Sequence, residues 1–245
     1  MSMPFALQLY TVRDHLDQDV PGTLARVKEM GFDHVESAGT AGLSVAAFRK
    51  CLDDAGLKAM AAHFGLDALA DGAQEARDAC AELGIEFAVM PYAKAEDKDG
   101  WVALGRTLDE AGAALREDGV QLCYHNHAHE FERFDGECAF DLIFSAAQPA
   151  NLAAELDTFW VKHGGEDPAA YIRKYAGRCP LVHMKDMAAS GEPIFADLGT
   201  GTMDWPPVLA AAAEAGARWL IAEQDLCKGD SLDSAAVAAR FLASL

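Results

Sequence analysis

The chain has 245 residues, of which 51% are hydrophobic and 24% charged, a balance that fits a folded globular domain rather than a disordered one. Its 39 acidic residues against 20 Lys and Arg leave a formal net charge of -19. Such a surface repels a phosphate backbone, and no Lys/Arg cluster makes a basic groove, so nucleic acid is excluded as a partner.

The opening MSMPFALQLY lacks the basic segment and apolar core of a signal peptide. No 18-residue apolar run predicts a membrane span, so no membrane partner is expected. The six cysteines, Cys51, Cys80, Cys123, Cys138, Cys179 and Cys227, form no C-x-x-C pair. Reduced thiols in a cytoplasmic protein are the expectation.

In chain order, PFALQLY predicts a first strand. Asp19 is a candidate N-cap for a helix carrying TLARVKEM, and Gly31 then opens the strand GFDHVES. Ser44 caps VAAFRKCLDDA, followed by the strand GLKAMAAH from Gly56 and the helix EARDACAEL. GIEFAVMPY from Gly84 is the fourth strand, WVALGRTLDEAGAALRED a long helix, and GVQLCYHNH from Gly119 the fifth strand. NLAAELD from Asn151 is the sixth. Asp167 and Pro168 open PAAYIRKYA, where Pro at the first helical position costs no hydrogen bond. GRCPLVHMKD from Gly177, Asp204 before PVLAAAAEA, GARWLIAEQD from Gly216 and the final helix SLDSAAVAARFLASL complete the chain. Gly just past a helix takes the left-handed cap without a Cβ clash. The near-continuous apolar runs suit parallel strands buried on both faces.

Eight strands, each followed by a helix, predict a single-domain (β/α)8 TIM barrel over residues 1–245. An open doubly wound sheet would carry a Gly-rich loop after its first strand, and here that strand leads into YTVRDHLDQD. In a barrel the active site lies at the C-terminal ends of the strands. Those ends carry Gln8, Glu36, His63, Tyr92, His125 to Glu130, Asp157, His183 with Lys185, and Glu223 with Asp225. Asp157, His183 and Glu223 stand on the last three strands. Mixed carboxylate and imidazole donors suit one divalent ion, Mn, Mg, Co or Zn, without choosing among them. The stretch CYHNHAHEF holds three of the eight histidines. A three-histidine zinc site there is disfavoured, because strands six to eight offer a better donor set.

LQLYTVRD, YHNHAHEF, ELDTFWVKHGGEDP, VHMKD, LGTGTMDWPPV and IAEQD, in this order, resemble the sugar phosphate isomerase/epimerase family, which are xylose isomerase-like TIM barrels. The resemblance covers essentially the whole chain. It implies one divalent metal held by a Glu on strand five, an Asp on strand six, a His on strand seven and a Glu on strand eight. Asp157, His183 and Glu223 match the last three. Strand five departs, with Cys123 near the place of the glutamate. Glu130 is expected as the fourth ligand, with His125 or His127 as alternatives.

The resemblance also implies a small sugar or polyol substrate, with proton removal next to a carbonyl through an enediolate. Glu223 is expected as ligand and base, and His125 or His127 as a second proton carrier. Glu36, His63, Asn126, Trp160 and Lys185 are expected to touch substrate. Lys185 is equally able to pair with Glu155 or Asp186. The backbone N–H groups of Gly199 and Gly201 are candidates for a phosphate, and His129 is expected to be a loop residue. The altered fifth strand leaves a dehydratase or lyase acting on an inosose or 3-keto sugar open, together with a non-catalytic sugar-binding barrel. An abasic-site endonuclease needs more metal ligands and a basic groove, and the -19 charge argues against it. A homo-oligomer is compatible with the sequence.

Overall fold

A computed structural model describes residues 3–190 and 194–245. Eight parallel strands close into one barrel: β1 Phe5–Gln8, β2 His34–Ser37, β3 Lys58–His63, β4 Phe87–Met90, β5 Gln121–His125, β6 Leu152–Asp157, β7 Leu181–Met184 and β8 Trp219–Ala222. Closure comes from β1, whose Leu7 pairs with Ala222 of β8 on one side and Val35 of β2 on the other. All eight predicted strands are present.

The outer helices are α1 Val20–Glu29, α2 Val45–Ala55, α3 Gln74–Leu83, α4 Lys98–Glu117, α5 Ala139–Ser145, α6 Pro168–Lys174, α7 Trp205–Ala215 and α8 Ser231–Ala243. Asp19, Ser44 and Asp167 cap α1, α2 and α6 by accepting from Gly22, Ala47 and Ala170 N, each cap worth about 1 kcal/mol. Asp204 occupies the cap position of α7 but its side chain accepts no cap hydrogen bond. Helix α5 has no counterpart in the sequence reading. Its segment AFDLIFS is buried at Ala139, Phe140, Leu142, Ile143 and Phe144, so it is too short and too evenly apolar to show a helical period.

Helix α4 packs close against α5 and the entry to β6 because Gly105 and Gly112 share one face. A Cβ on either would run into a backbone oxygen, Ile143 O or Asn151 O respectively.

Inside the barrel, alternate residues of each strand point to the axis. The lower interior is apolar, built from Ala6, Met60, Ala61, Phe87, Val89, Cys123, Ala153, Leu181 and Ile221. Two residues further along the strands the side chains change character. Register places His125 beside Glu155, Asp157 beside His183 and Ile221 beside His183. The polar groups therefore form layers stacked above the apolar plug.

Candidate metal centre at the barrel mouth

His125, Asp157, His183 and Glu223, one from each of β5 to β7 and the residue following β8, bring ligating atoms within 4.8 Å of one another. All four are buried. His183 Nδ1 lies 2.9 Å from Glu223 Oε2, and His125 Nε2 is 3.9 Å from Asp157 Oδ2. Asp157 Oδ1 accepts from Trp160 N at 2.9 Å and so caps the short helix Thr158–His163. That cap fixes the carboxylate and leaves Oδ2 facing the mouth. Two imidazoles and two carboxylates fit one divalent cation: the donors are of mixed O and N type, and two ionised carboxylates match a 2+ charge.

Lys185 sits on the same oxygens. Its ammonium is 2.9 Å from Asp157 Oδ2, 2.8 Å from Glu223 Oε2 and 2.9 Å from Asp225 Oδ1. The expected alternatives, Glu155 and Asp186, are not its partners. Burial works against the Lys185 charge, but Asp157, Glu223 and Asp225 hold it well above the usual lysine range. Burial would raise Glu223, yet Lys185 and His183 keep it below the usual carboxylate range. Glu223 Oε2 is thus shared between His183 and Lys185 at the mouth.

A second polar layer lies directly beneath. Glu155 Oε1 is approached by His125 Nδ1 at 2.9 Å, His183 Nε2 at 3.0 Å and His63 Nε2 at 3.4 Å. Glu36 Oε1 is approached by Gln8 Nε2 at 2.6 Å, His183 Nε2 at 2.8 Å and His63 Nε2 at 3.0 Å. Burial raises Glu155, and the neighbouring Glu36 charge adds to that. Burial opposes the charge on Glu36 too, but His63 and His183 hold it well below the usual range. Burial alone would neutralise His63 and His183; the two carboxylates instead raise both, His63 to about 10. His125 goes the other way, pushed well down by burial and then by its cationic neighbours. Glu155 was not among the expected site residues. The signal was present in AAELD, where Ala153, Glu155 and Asp157 share one face of a strand.

Several expected residues are elsewhere. Glu130, expected as the fourth ligand, belongs to neither group of converging donors. Its Oε1 accepts from Tyr124 OH and its Oε2 from His127 N, both at 2.9 Å, so it braces the loop after β5. Of the two expected alternatives, His125 is the one that joins the converging donors. Glu36 is fully buried beneath the mouth, against Gln8, His63 and His183. Asn126 clamps β5 to β6, accepting from Asp157 N at 3.0 Å. Asp186, placed beside Lys185 in the sequence reading, accepts from the N–H groups of Gly199, Gly201 and Met203. The glycine loop is therefore organised around a carboxylate, and those N–H groups are not free for a phosphate. His129 is a loop residue as expected, 2.7 Å from Ala93 O.

The mouth is a cavity of about 240 Å³ lined by Tyr10, His63, Pro91, Tyr92, His125, His127, Lys185, Glu223 and Asp225. A larger cavity of about 650 Å³ opens between α2 and α3 and shares His63 with the mouth, but no cluster of ligating groups faces it among the described residues. Trp160 packs against His127, ring centroids 5.3 Å apart, with Lys185 Nζ 5.5 Å from its ring. Among the described residues, His127 Nδ1 and Trp160 Nε1 are buried without a protein partner. Burial, then Lys185, pushes His127 down to about 4, so its ring is neutral near pH 7. Burial and the Glu223 charge push Asp225 up to about 6.

Residues 24–245 match the family model for the xylose isomerase-like TIM barrel. The chain belongs to this family. An inosose dehydratase from Lacticaseibacillus casei is 28% identical over 163 residues, 59% of this chain and 54% of that protein. The chain thus spans about half the length of the curated relatives it matches. A sugar phosphate isomerase/epimerase structure from Parabacteroides distasonis superposes with a TM-score of 0.85 at 24% identity, covering 98% of this chain and 93% of the other. An L-ribulose 3-epimerase structure superposes with a TM-score of 0.72 at 18% identity, covering 100% and 94%. At these identities both structural matches show the fold alone. The members named in these comparisons are enzymes. No described helix is long and apolar enough to cross a membrane.

Proposed function

We propose that this barrel is a divalent-metal-dependent isomerase or epimerase of a small sugar, ketose or keto-polyol, acting by proton removal next to a carbonyl. The observation that carries this reading is the convergence of His125, Asp157, His183 and Glu223 from four consecutive strands on one buried point below a polar mouth. A divalent ion held by these four residues would polarise the substrate carbonyl and balance the negative charge that develops on its oxygens.

The chain's own groups divide the remaining work. Lys185 places a permanent positive charge at the mouth, where it stabilises an enediolate oxygen. His127, neutral and with Nδ1 unpartnered, takes the proton from carbon. Asp225, held up to about 6, returns a proton. Two titratable groups at one cavity, each moved well off its ordinary value by burial and neighbouring charge, suit a pair of proton carriers. The Trp160 ring walls the site, and the cavity of about 240 Å³ suits a single sugar-sized molecule.

A dehydratase acting on an inosose or 3-keto sugar is the second reading. It is favoured by the similarity to inosose dehydratase and by Asp225, which can protonate a departing hydroxyl at the β-carbon so that water leaves. The two readings share the first proton transfer and diverge in the fate of the enediolate.

The test is NMR of solvent deuterium entering ketoses and inososes, with the protein metal-loaded and then chelated. Metal-dependent exchange at one carbon supports enolisation, and an epimer or a dehydrated product distinguishes the two readings. Absence of exchange in every substrate with the metal bound would overturn both. His127→Gln is expected to slow exchange at least 100-fold with metal content intact.

A further inference from the structure

The two histidines of the metal centre each face two ways. His125 presents Nδ1 to Glu155 Oε1 at 2.9 Å and Nε2 toward Asp157 Oδ2 at 3.9 Å. His183 presents Nε2 to Glu36 Oε1 at 2.8 Å and Glu155 Oε1 at 3.0 Å, and Nδ1 to Glu223 Oε2 at 2.9 Å. In each ring one nitrogen points down into the buried carboxylate layer and the other up to the mouth. An imidazole that ligates a cation through one nitrogen keeps its proton on the other, and the partner of that N–H sets tautomer and ring orientation. Carboxylate oxygens accept; Glu155 Oε1 faces three ring nitrogens and Glu36 Oε1 faces two.

We infer that Glu155 and Glu36 are positioning residues: they accept N–H from His125 Nδ1 and His183 Nε2 and so dedicate His125 Nε2 and His183 Nδ1 to the cation. The two rings ligate through opposite nitrogens because one reaches the carboxylates with Nδ1 and the other with Nε2. The inference rests on the metal reading above but not on the reaction the site performs.

It also decides between two overlapping donor groups. His63, His125, Glu155 and His183 converge within 4.8 Å as well, sharing His125 and His183 with the mouth group. A neutral imidazole cannot donate N–H to a carboxylate and ligate through the same nitrogen. The lower group is therefore a cradle for the ligand rings and not a second seat. His63, with Nε2 3.0 Å from Glu36 Oε1 and 3.4 Å from Glu155 Oε1, ties the two carboxylates together.

The experiment is 15N NMR of the histidine rings in the full-length wild type loaded with Zn²⁺, joined to calorimetry of Zn²⁺ binding to wild type, Glu155→Ala and Glu155→Gln. The expected spectra show His125 protonated at Nδ1, His183 protonated at Nε2, and one ion per chain. Glu155→Ala is expected to weaken Zn²⁺ about 10- to 100-fold, and Glu155→Gln, which keeps an acceptor oxygen, to recover most of that loss. The opposite protonation in either ring, or two ions per chain, overturns the inference while leaving the metal reading standing. Unchanged affinity in a folded Glu155→Ala also overturns it. No Zn²⁺ binding to wild type overturns the metal reading and this inference together. Should the variants not fold, the wild-type ring spectra decide alone.

Discussion

The lower and upper halves of the barrel interior are built from the same strands and do opposite things. On β6, Ala153 belongs to the apolar plug, while Glu155 and Asp157 form the two polar layers. On β5 the change is from Cys123 to His125, on β7 from Leu181 to His183, and along β8 from Ile221 to Glu223. One step of the two-residue period, roughly 6.6 Å along a strand, separates packing from chemistry. The lower half is held by burial of apolar surface. The upper half concentrates buried charges that stabilise the fold only while each is partnered, because an unpaired charge in this interior is costly. The upper half thus gathers charge at some expense to the fold, and the lower half compensates.

That contrast can be broken from either side. Phe87 is 1% exposed in the plug, and Phe87→Ala is expected to cost about 3–5 kcal/mol of stability in urea unfolding. Metal affinity of the folded fraction should not change. A variant that lost metal as well would show the two halves to be coupled.

Lys185→Met acts on the upper half. It leaves Asp157, Glu223 and Asp225 without their shared cation, with an expected loss of about 3 kcal/mol in chelator at neutral pH. Since the ammonium lies on the oxygens that a metal needs, the same variant should bind Mn²⁺ more tightly than wild type. Weaker binding would show that Lys185 assists the site and does not compete with it.

Mn²⁺ at 100 times its dissociation constant should stabilise the wild type by about 2.7 kcal/mol. In a chain of this size that is a rise in Tm of about 5–10 °C, reversed by EDTA and absent in Asp157→Ala.

The smallest effect is on pH. Carboxylates hold His63 up to about 10. The stability it contributes is complete below its ordinary value near 6.5 and is lost as pH rises through about 10. Urea stability of the metal-free protein should therefore fall between about pH 7 and 10. A rise over that range would contradict the protonated state of the lower layer.

The fold was legible in the sequence because six of the eight strands are short apolar runs opened by Gly, and the eightfold alternation leaves few architectures. Helix α5 escaped because it buries nearly its whole circumference. In the site, Asp157, His183 and Glu223 could be located from strand ends and from the family resemblance. The parity of β5 also placed His125 on the inner face. Beyond Asn126 the chain leaves the strand, parity no longer governs, and the direction of Glu130 could not be read. Its oxygens turn out to serve Tyr124 and the His127 N–H. Glu155 was missed for a different reason. Strand parity puts it on the face of Asp157, but its partners are three rings from β3, β5 and β7 that only the closed barrel brings together.

The most direct test is calorimetric titration of Mn²⁺ into EDTA-stripped wild type, with His183→Ala and Phe87→Ala as comparisons. The account predicts one ion per chain for wild type and for folded Phe87→Ala, with at least 100-fold weaker binding by His183→Ala. A wild type that binds no ion, or a His183→Ala variant that binds as tightly, would contradict a metal centre at the barrel mouth.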